Sequence, residues 1–243
     1  MYKFLVIGGL HGNEPLGLEV CGQLEKLKLP YVDVLYGNPE AIRKNVRYIV
    51  EDLNRVFPGR KTGSVEVKRA SEIMKICKKY DFVIDFHNTH CPNNDCAFLG
   101  SHSPEAFQLA SFLGLNRVIL ADAYDSINKY VNNCLSVEVS LSSPRFNIEE
   151  WVSKMVGLKN YNPNRTYGRL QTYEFVYRIS REEQEKFNFP RWTAFKPVSK
   201  GDLRPLNLDA SDTIYPIFID DKYTPYNYAA LIRKTSTSSF FRN

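Results

Sequence analysis

Histidine is scarce in this chain. Only His11, His87, His90 and His102 occur in 243 residues, so any centre built on imidazole must draw on those four. Cysteine is scarce and odd in number. Cys21, Cys77, Cys91, Cys96 and Cys134 cannot all pair within one chain, and their spacing matches no compact disulfide framework. They read as reduced thiols, the usual state in a cytoplasmic protein. Long apolar runs are missing too. No stretch approaches the roughly 20 apolar residues of a membrane span, and the run near Met1 is too short for a signal-peptide core. The expectation is a cytoplasmic protein with no membrane partner. Nor is there a block of like charge, because the net +5 is spread along the chain. That pattern argues against nucleic acid and suits a small anionic substrate. Internal repeats and low-complexity tracts are absent, and homo-oligomer formation is neither specified nor excluded.

What is present is an alternation of strand-like and helix-like segments. Leu5-Val6-Ile7 ends in Gly8-Gly9, as a buried strand entering a turn does. Leu18, Cys21 and Leu24 then recur at helical spacing over 15–27, with Pro15 suited to the first turn. Strands are expected at 31–36, 80–87, 97–100, 117–121 and 134–140. Helices are expected at 64–79, 104–113 and 147–155, with one helical turn at 39–42. This order predicts a doubly wound α/β core with a largely parallel or mixed central sheet. The α/β domain would occupy 1–160. Residues 161–243 would form a small β-rich C-terminal subdomain that completes the site, with strands at 171–177, 195–198, 201–202 and 213–219 and a short helix at 181–187.

His11 and Glu14 are three residues apart at a helix start, which brings their side chains to one face. Both are good zinc ligands, but a catalytic zinc takes about three protein ligands and an open position. In isolation the pair reads better as a polar turn, with Asn13 capping the helix and Glu14 complementing its dipole. His87 closes a second apolar strand. In an open α/β sheet the carboxyl ends of strands share one edge, where sites form, so His11 and His87 can meet there. His90, in the following loop, and His102, before a helix, are weaker candidates. Asp85, two residues before His87, is a candidate to orient an imidazole. Cys91 and Cys96 flank a polar loop near His87, where packing explains them better than metal binding. The long irregular stretch 43–63 carries Arg43, Arg47, Asn54, Arg55 and Arg60, planar donors suited to a carboxylate. Glu138 is a single carboxylate inside an apolar strand. It calls for a partner, a raised pKa or a place at a cavity, unless that strand edge faces water.

Taken in order, Gly8-Gly9-Leu10-His11-Gly12-Asn13-Glu14, Asp52-Leu53-Asn54-Arg55, Asp85-Phe86-His87-Asn88-Thr89 and Val137-Glu138-Val139 resemble the motifs of the aspartoacylase and succinylglutamate desuccinylase family. That family is a branch of the zinc-carboxypeptidase-like fold. The resemblance runs from about Met1 to Ser140, and more loosely over 215–219. It implies one Zn²⁺ per chain held by His11, Glu14 and His87, with Glu138 as general base and Arg47 polarising the scissile carbonyl. Asn54 and Arg55 would hold the substrate carboxylate. The family's arginine before the glutamate strand is missing, so Lys129 is its expected substitute. Tyr223 is the expected C-terminal substrate contact, ahead of Tyr226 and Tyr228. The implied activity is hydrolysis of the amide of a small anionic N-acyl amino acid. A metallocarboxypeptidase acting on peptides and a non-catalytic metal-bound recognition module are the alternatives.

Overall fold

The computed structural model describes residues 1–100, 103–120, 125–208, 212–223 and 227–236. Its N-terminal half runs β1 (Phe4–Gly8), α1 (Pro15–Leu27), β2 (Val32–Tyr36), α2 (Pro39–Lys44), α3 (Val65–Cys77) and β3 (Phe82–Thr89). There follow β4 (Cys96–Leu99), α4 (Pro104–Phe112), β5 (Arg117–Leu120), α5 (Ile127–Tyr130), β6 (Cys134–Ser140) and α6 (Ile148–Gly157). The last part contains β7 (Gln171–Ser180), α7 (Arg181–Phe187), α8 (Lys200–Leu203), β8 (Ile214–Ile217) and β9 (Asn227–Lys234), and short 3₁₀ turns lie at Leu53–Arg55, Leu158–Asn160 and Arg204–Leu206. Two predicted helices begin one residue late for a chemical reason. Ser64 and Asn147 are N-caps, their side-chain oxygens accepting from the amides of Val67 and Glu150.

Among the described residues, nine strands belong to one sheet in the order β2-β1-β3-β6-β4-β5-β7-β9-β8. The pairs β1·β2, β1·β3, β3·β6, β4·β5 and β5·β7 are parallel, whereas β4·β6, β7·β9 and β8·β9 are antiparallel. The expected mixed sheet is therefore present, and the C-terminal strands continue it rather than forming a second one. Two local expectations fail and one strand goes unexpected. Residues 201–202 lie in α8, where Ser199 accepts from the Asp202 amide, residues 195–198 form no strand, and β9 was not foreseen.

Side-chain alternation along the central strands divides the core. Phe4, Val6, Phe82, Ile84 and Phe86 face α1, α4 and α6, burying Leu16, Val20, Leu24, Phe107, Trp151 and Met155. Leu5, Ile7 and Val83 face the opposite side with Ala70, Ile73 and Cys77 of α3 and Ile127 of α5. Helices thus cover both faces, as period-2 strands with two buried faces demand.

The approach of α1 to the sheet depends on Gly8. A Cβ there would lie 2.3 Å from the Gly17 carbonyl oxygen of α1. That helix begins immediately after Glu14, so its seating on β1 fixes where the Glu14 carboxylate points. Gly8→Ala is expected to push the helix out and cost about 1–3 kcal/mol, the usual penalty of overpacking. An unchanged thermal midpoint would show that the contact relaxes freely.

Candidate metal centre

His11 and Glu14 stand in the turn between β1 and α1, and His87 lies in β3, next to β1 in the sheet. One ligand atom from each lies within 4.8 Å of the others, and all three residues are buried. His11 Nδ1 is 2.7 Å from Glu14 Oε1, His87 Nδ1 is 2.9 Å from Glu14 Oε2, and the two Nδ1 atoms are 3.2 Å apart. The far nitrogen of each ring meets a carboxylate. His11 Nε2 is 2.9 Å from Asp52 Oδ1 and His87 Nε2 is 2.6 Å from Asp85 Oδ2. A proton held on Nε2 by each carboxylate leaves the Nδ1 lone pairs directed at the common centre. This is the way metal-ligating imidazoles are ordinarily oriented.

With no cation present, the same contacts set the charges of the cluster. Burial pushes the Glu14 carboxyl up, but the imidazoles of His11 and His87 outweigh it and hold the group well below the carboxylate range. At Asp52 burial is likewise overcome, by His11, Arg47 and Arg55, so it too is held far down. His87 is moved well above its ordinary value, because Asp85 and Glu14 overcome the effect of burial. Three buried ligand atoms and two anchoring carboxylates gather around one point, a donor set that suits a divalent cation such as zinc. No sulfur belongs to the group. The five cysteines are buried free thiols, and His90 lies outside the cluster, its ring 4.4 Å from that of Tyr223. His102 and Tyr226 lie outside the described residues.

The long polar stretch after α2 is held by Glu66, which the sequence reading did not single out. Its fully buried carboxylate accepts from Asn38 Nδ2 at 3.2 Å and from the amides of Ile49 and Val50 at 2.8 and 3.3 Å. That anchor carries Arg47 and Asp52 to the centre. Arg47 donates to Asp52 Oδ2 through Nε at 3.2 Å and Nη2 at 3.0 Å, and to Glu14 Oε1 through Nη1 at 3.2 Å. Asp52 therefore serves His11, Arg47 and, at 2.9 Å, the Asn54 amide. Asp52→Ala is expected to weaken metal affinity by about 10–100-fold in a chelator competition titration. Unchanged affinity would show that His11 needs no anchor.

The expected site residues are largely assembled. His11, Glu14, Arg47, Asn54, Arg55, His87, Glu138 and Tyr223 line one cavity. Glu138 stands opposite His87 in the β3·β6 register. Its Oε1 is buried with no hydrogen-bond partner among the described residues. Burial raises its carboxyl well above the ordinary value, with Glu14 and Asp221 adding to the shift and His87 opposing it. Asn54 is already engaged, its Oδ1 accepting from the Ile127 amide at 3.0 Å and its Nδ2 lying 3.3 Å from His87 Nε2. Tyr223 donates its hydroxyl to the Asn13 carbonyl at 3.0 Å, and burial helps push that hydroxyl up to about 12.

Lys129 requires a correction. It is exposed, pairs with Asp125 at 2.9 Å and does not line the cavity. The short helix α5 turns it outward and presents Asn128 inward, where Nδ2 donates to the Phe98 carbonyl at 3.0 Å. Asp125, just before the N-cap Ser126 and four positions ahead of Lys129, holds it there. The missed residues Asp221 and Arg178 line the cavity instead. Asp221 accepts from Thr89 Oγ1, the His90 amide and the Tyr223 amide, tying the loop after β8 to the end of β3.

Fold and site define an α/β protein with a buried His-Glu-His group that could hold a metal ion at the carboxyl edge of its sheet. Residues 2–141 match the succinylglutamate desuccinylase/aspartoacylase catalytic domain, and the chain belongs to that family. It is 37% identical over 133 residues to an N-acyl-aromatic-L-amino acid amidohydrolase (carboxylate-forming) of Xenopus laevis, a match covering 46% of this chain and 42% of that protein. It is 33% identical over 96 residues to a succinylglutamate desuccinylase of Pseudomonas syringae pv. tomato, covering 35% of this chain and 28% of that one. The matched stretch is thus less than half of either relative. A succinylglutamate desuccinylase structure from Chromobacterium violaceum shares the fold with a TM-score of 0.73 at 17% identity, covering 98% of this chain and 86% of that one. Among the described residues no helix is long and apolar enough to cross a membrane.

Proposed function

We propose that this chain is a zinc-dependent amidohydrolase that cleaves the amide bond of a small N-acyl amino acid into a carboxylate and an amino acid. The observation that carries this reading is the buried Glu138 oxygen, without a hydrogen-bond partner among the described residues, in the same cavity as the His11, Glu14 and His87 donors. A recognition module would have no use for a desolvated base at the ligand cluster, whereas amide hydrolysis must remove a proton from water.

His11, Glu14 and His87 would hold the ion. When bound, zinc supplies Lewis acidity toward a carbonyl and makes water acidic enough to attack near neutral pH. Glu138 accepts the proton of the attacking water at its carboxylate and delivers it to the leaving amine nitrogen, so that it ends the cycle unprotonated. Arg47, fixed in orientation by Asp52 and Glu14, offers a guanidinium to the oxygen that gains charge as the carbonyl carbon becomes tetrahedral. Arg55 holds the substrate's α-carboxylate, with Nη1 braced on the Asn54 carbonyl at 2.7 Å. The buried walls around these groups exclude bulk water and strengthen each interaction. The family's N-acyl amino acid hydrolases, and a cavity with two arginines beside the centre, favour this substrate class over peptides.

Metal analysis of the purified protein, followed by assay of N-acetyl and N-succinyl amino acids alongside short peptides, tests the proposal. One zinc per chain and turnover of acyl amino acids is the expected result. Cleavage of peptides alone would favour a carboxypeptidase, and metal binding without any turnover would favour the recognition module.

Arg55→Lys separates charge from geometry. Lysine keeps the charge but loses two parallel hydrogen bonds to one carboxylate, so KM is expected to rise by roughly 10-fold. Unchanged kinetics would place Arg55 outside the substrate contacts.

A further inference from the structure

Two buried side-chain atoms among the residues lining the metal-site cavity have no hydrogen-bond partner among the described residues, Glu138 Oε1 and Ser126 Oγ. Amide hydrolysis employs the first. The second is equally secluded, Ser126 being only 6% exposed. The other small polar side chains of the cavity are engaged by the protein itself. Asn54 accepts from the Ile127 amide and Asn88 from the Leu16 amide, both at 3.0 Å, while Ser136 Oγ lies 3.1 Å from Asp85 Oδ2 and 2.9 Å from Asn128 Oδ1.

The local structure makes Ser126 stand out further. It is the N-cap of α5, where a serine hydroxyl ordinarily accepts from an amide of the first turn. Ser64, Ser103, Ser180 and Ser199 do so at the starts of α3, α4, α7 and α8, each from the amide three residues on. The Ser126 hydroxyl makes no such bond. Only its backbone carbonyl takes part in the turn, accepting from the Lys129 amide at 3.1 Å. A buried hydroxyl left unpaired costs stability, so a ligand in the cavity explains this one better than the fold does. Its place is fixed as well. The Ile127 amide, one residue on, donates to Asn54 Oδ1, and Arg55 follows Asn54 in the chain.

Resting on the amidohydrolase reading, we propose that Ser126 is a substrate contact, its hydroxyl donating a hydrogen bond to an oxygen of the bound acyl amino acid. That oxygen belongs to the α-carboxylate, which keeps lone pairs free after a guanidinium has taken two, or to the amino-acid side chain. The contact is neutral and short, so it adds orientation rather than charge. A bond made equally in the ground state and the transition state is expressed in KM rather than kcat.

Kinetics and melting of Ser126→Ala test the proposal together. KM for N-acetyl-L-glutamine should rise by roughly 3–10-fold, the worth of one hydrogen bond. An equal rise for N-acetyl-L-leucine, whose side chain has no oxygen, places the acceptor on the α-carboxylate; no rise there places it on the side chain. Metal-free, ligand-free Ser126→Ala should melt at or above the wild-type midpoint because the unpaired hydroxyl is gone, whereas loss of a helix cap would lower it. Ser126→Thr, which keeps the hydroxyl, should recover most of the KM lost in Ser126→Ala. An unchanged KM for N-acetyl-L-glutamine in Ser126→Ala, an equal rise in Ser126→Thr, or a lowered midpoint overturns the proposal. If the zinc-loaded protein turns over no acyl amino acid, the amidohydrolase reading fails by itself. Calorimetric affinities of the same two compounds for wild type and Ser126→Ala then decide the Ser126 assignment by the same ratio, and equal affinities, or binding to neither protein, overturn it.

Discussion

Glu138→Gln protein is expected to bind its metal with wild-type stoichiometry and to lose about 10²–10⁴-fold in turnover. Glutamine preserves the shape of the side chain but cannot accept a proton, so it separates a base from a ligand. A metal ligand at this position would lose the ion on substitution, and a solvated strand residue would leave both properties untouched. The structure adds a stability signature. Burial raises the Glu138 carboxyl, so its protonated form is favoured in the folded chain. The stability this contributes is fully present below the ordinary carboxylate value and is lost as pH rises through the raised one. Glutamine has no such loss. Metal-free Glu138→Gln should therefore be at least as heat-stable as metal-free wild type at neutral pH while being nearly inactive when loaded. Thermal midpoint, metal content and hydrolysis measured on one preparation test all three statements. A fully active, metal-loaded variant would remove Glu138 from the mechanism.

The meeting of His11, Glu14 and His87 was legible because each stands at a boundary that local pattern marks, while their role as ligands came from the family resemblance. An apolar run ending at Gly8-Gly9 marks the strand end before His11, the helical period beginning at Pro15 places Glu14, and the apolar run 82–86 leads to His87. The anchor Asp85 was legible for the same reason, being two residues from its histidine on one strand. Asp52 was not, because its work is done 41 residues away on His11, and no local period marks a carboxylate that orients a ring across a loop. Glu66 escaped notice likewise, since at the start of a helix an acidic residue has an ordinary role toward the dipole.

The failures share a physical basis. Lys129 was placed by its charge near the position of the family's missing arginine, and a four-residue helix with Asp125 four positions earlier decided its direction instead. Arg178 could not be read from alternation because the β7·β9 pairing shifts register between Phe175 and Tyr177. In β9 the segment Asn227–Lys234 contains two alanines and no strict polar alternation, so its strand character comes from pairing with β7 and β8 rather than from propensity. Pairing partners distant in sequence determine the C-terminal half, whereas the N-terminal half is built mostly of strand and helix units whose own periods identify them.

His11→Ala and His87→Ala are each expected to abolish stoichiometric metal binding, since two remaining ligands do not make a stable zinc site. Their effects on the metal-free fold should differ, and the difference comes from what each ring leaves behind. Removing His11 leaves Asp52 with an 18% exposed side chain and two donors from Arg47. Removing His87 strands Asp85, whose side chain is fully buried. Its Oδ2 keeps a single bond from Ser136 Oγ at 3.1 Å, and its Oδ1 has no hydrogen-bond partner among the described residues. An uncompensated buried charge costs about 3–5 kcal/mol, so metal-free His87→Ala should melt well below metal-free His11→Ala. Adding Asp85→Ala to His87→Ala removes the stranded carboxylate and should recover part of the lost stability without restoring metal. Equal melting of the two single variants would show that the Asp85 carboxylate is relieved by other means. Full metal occupancy in the His11→Ala/His87→Ala double variant would sink the ligand assignment itself.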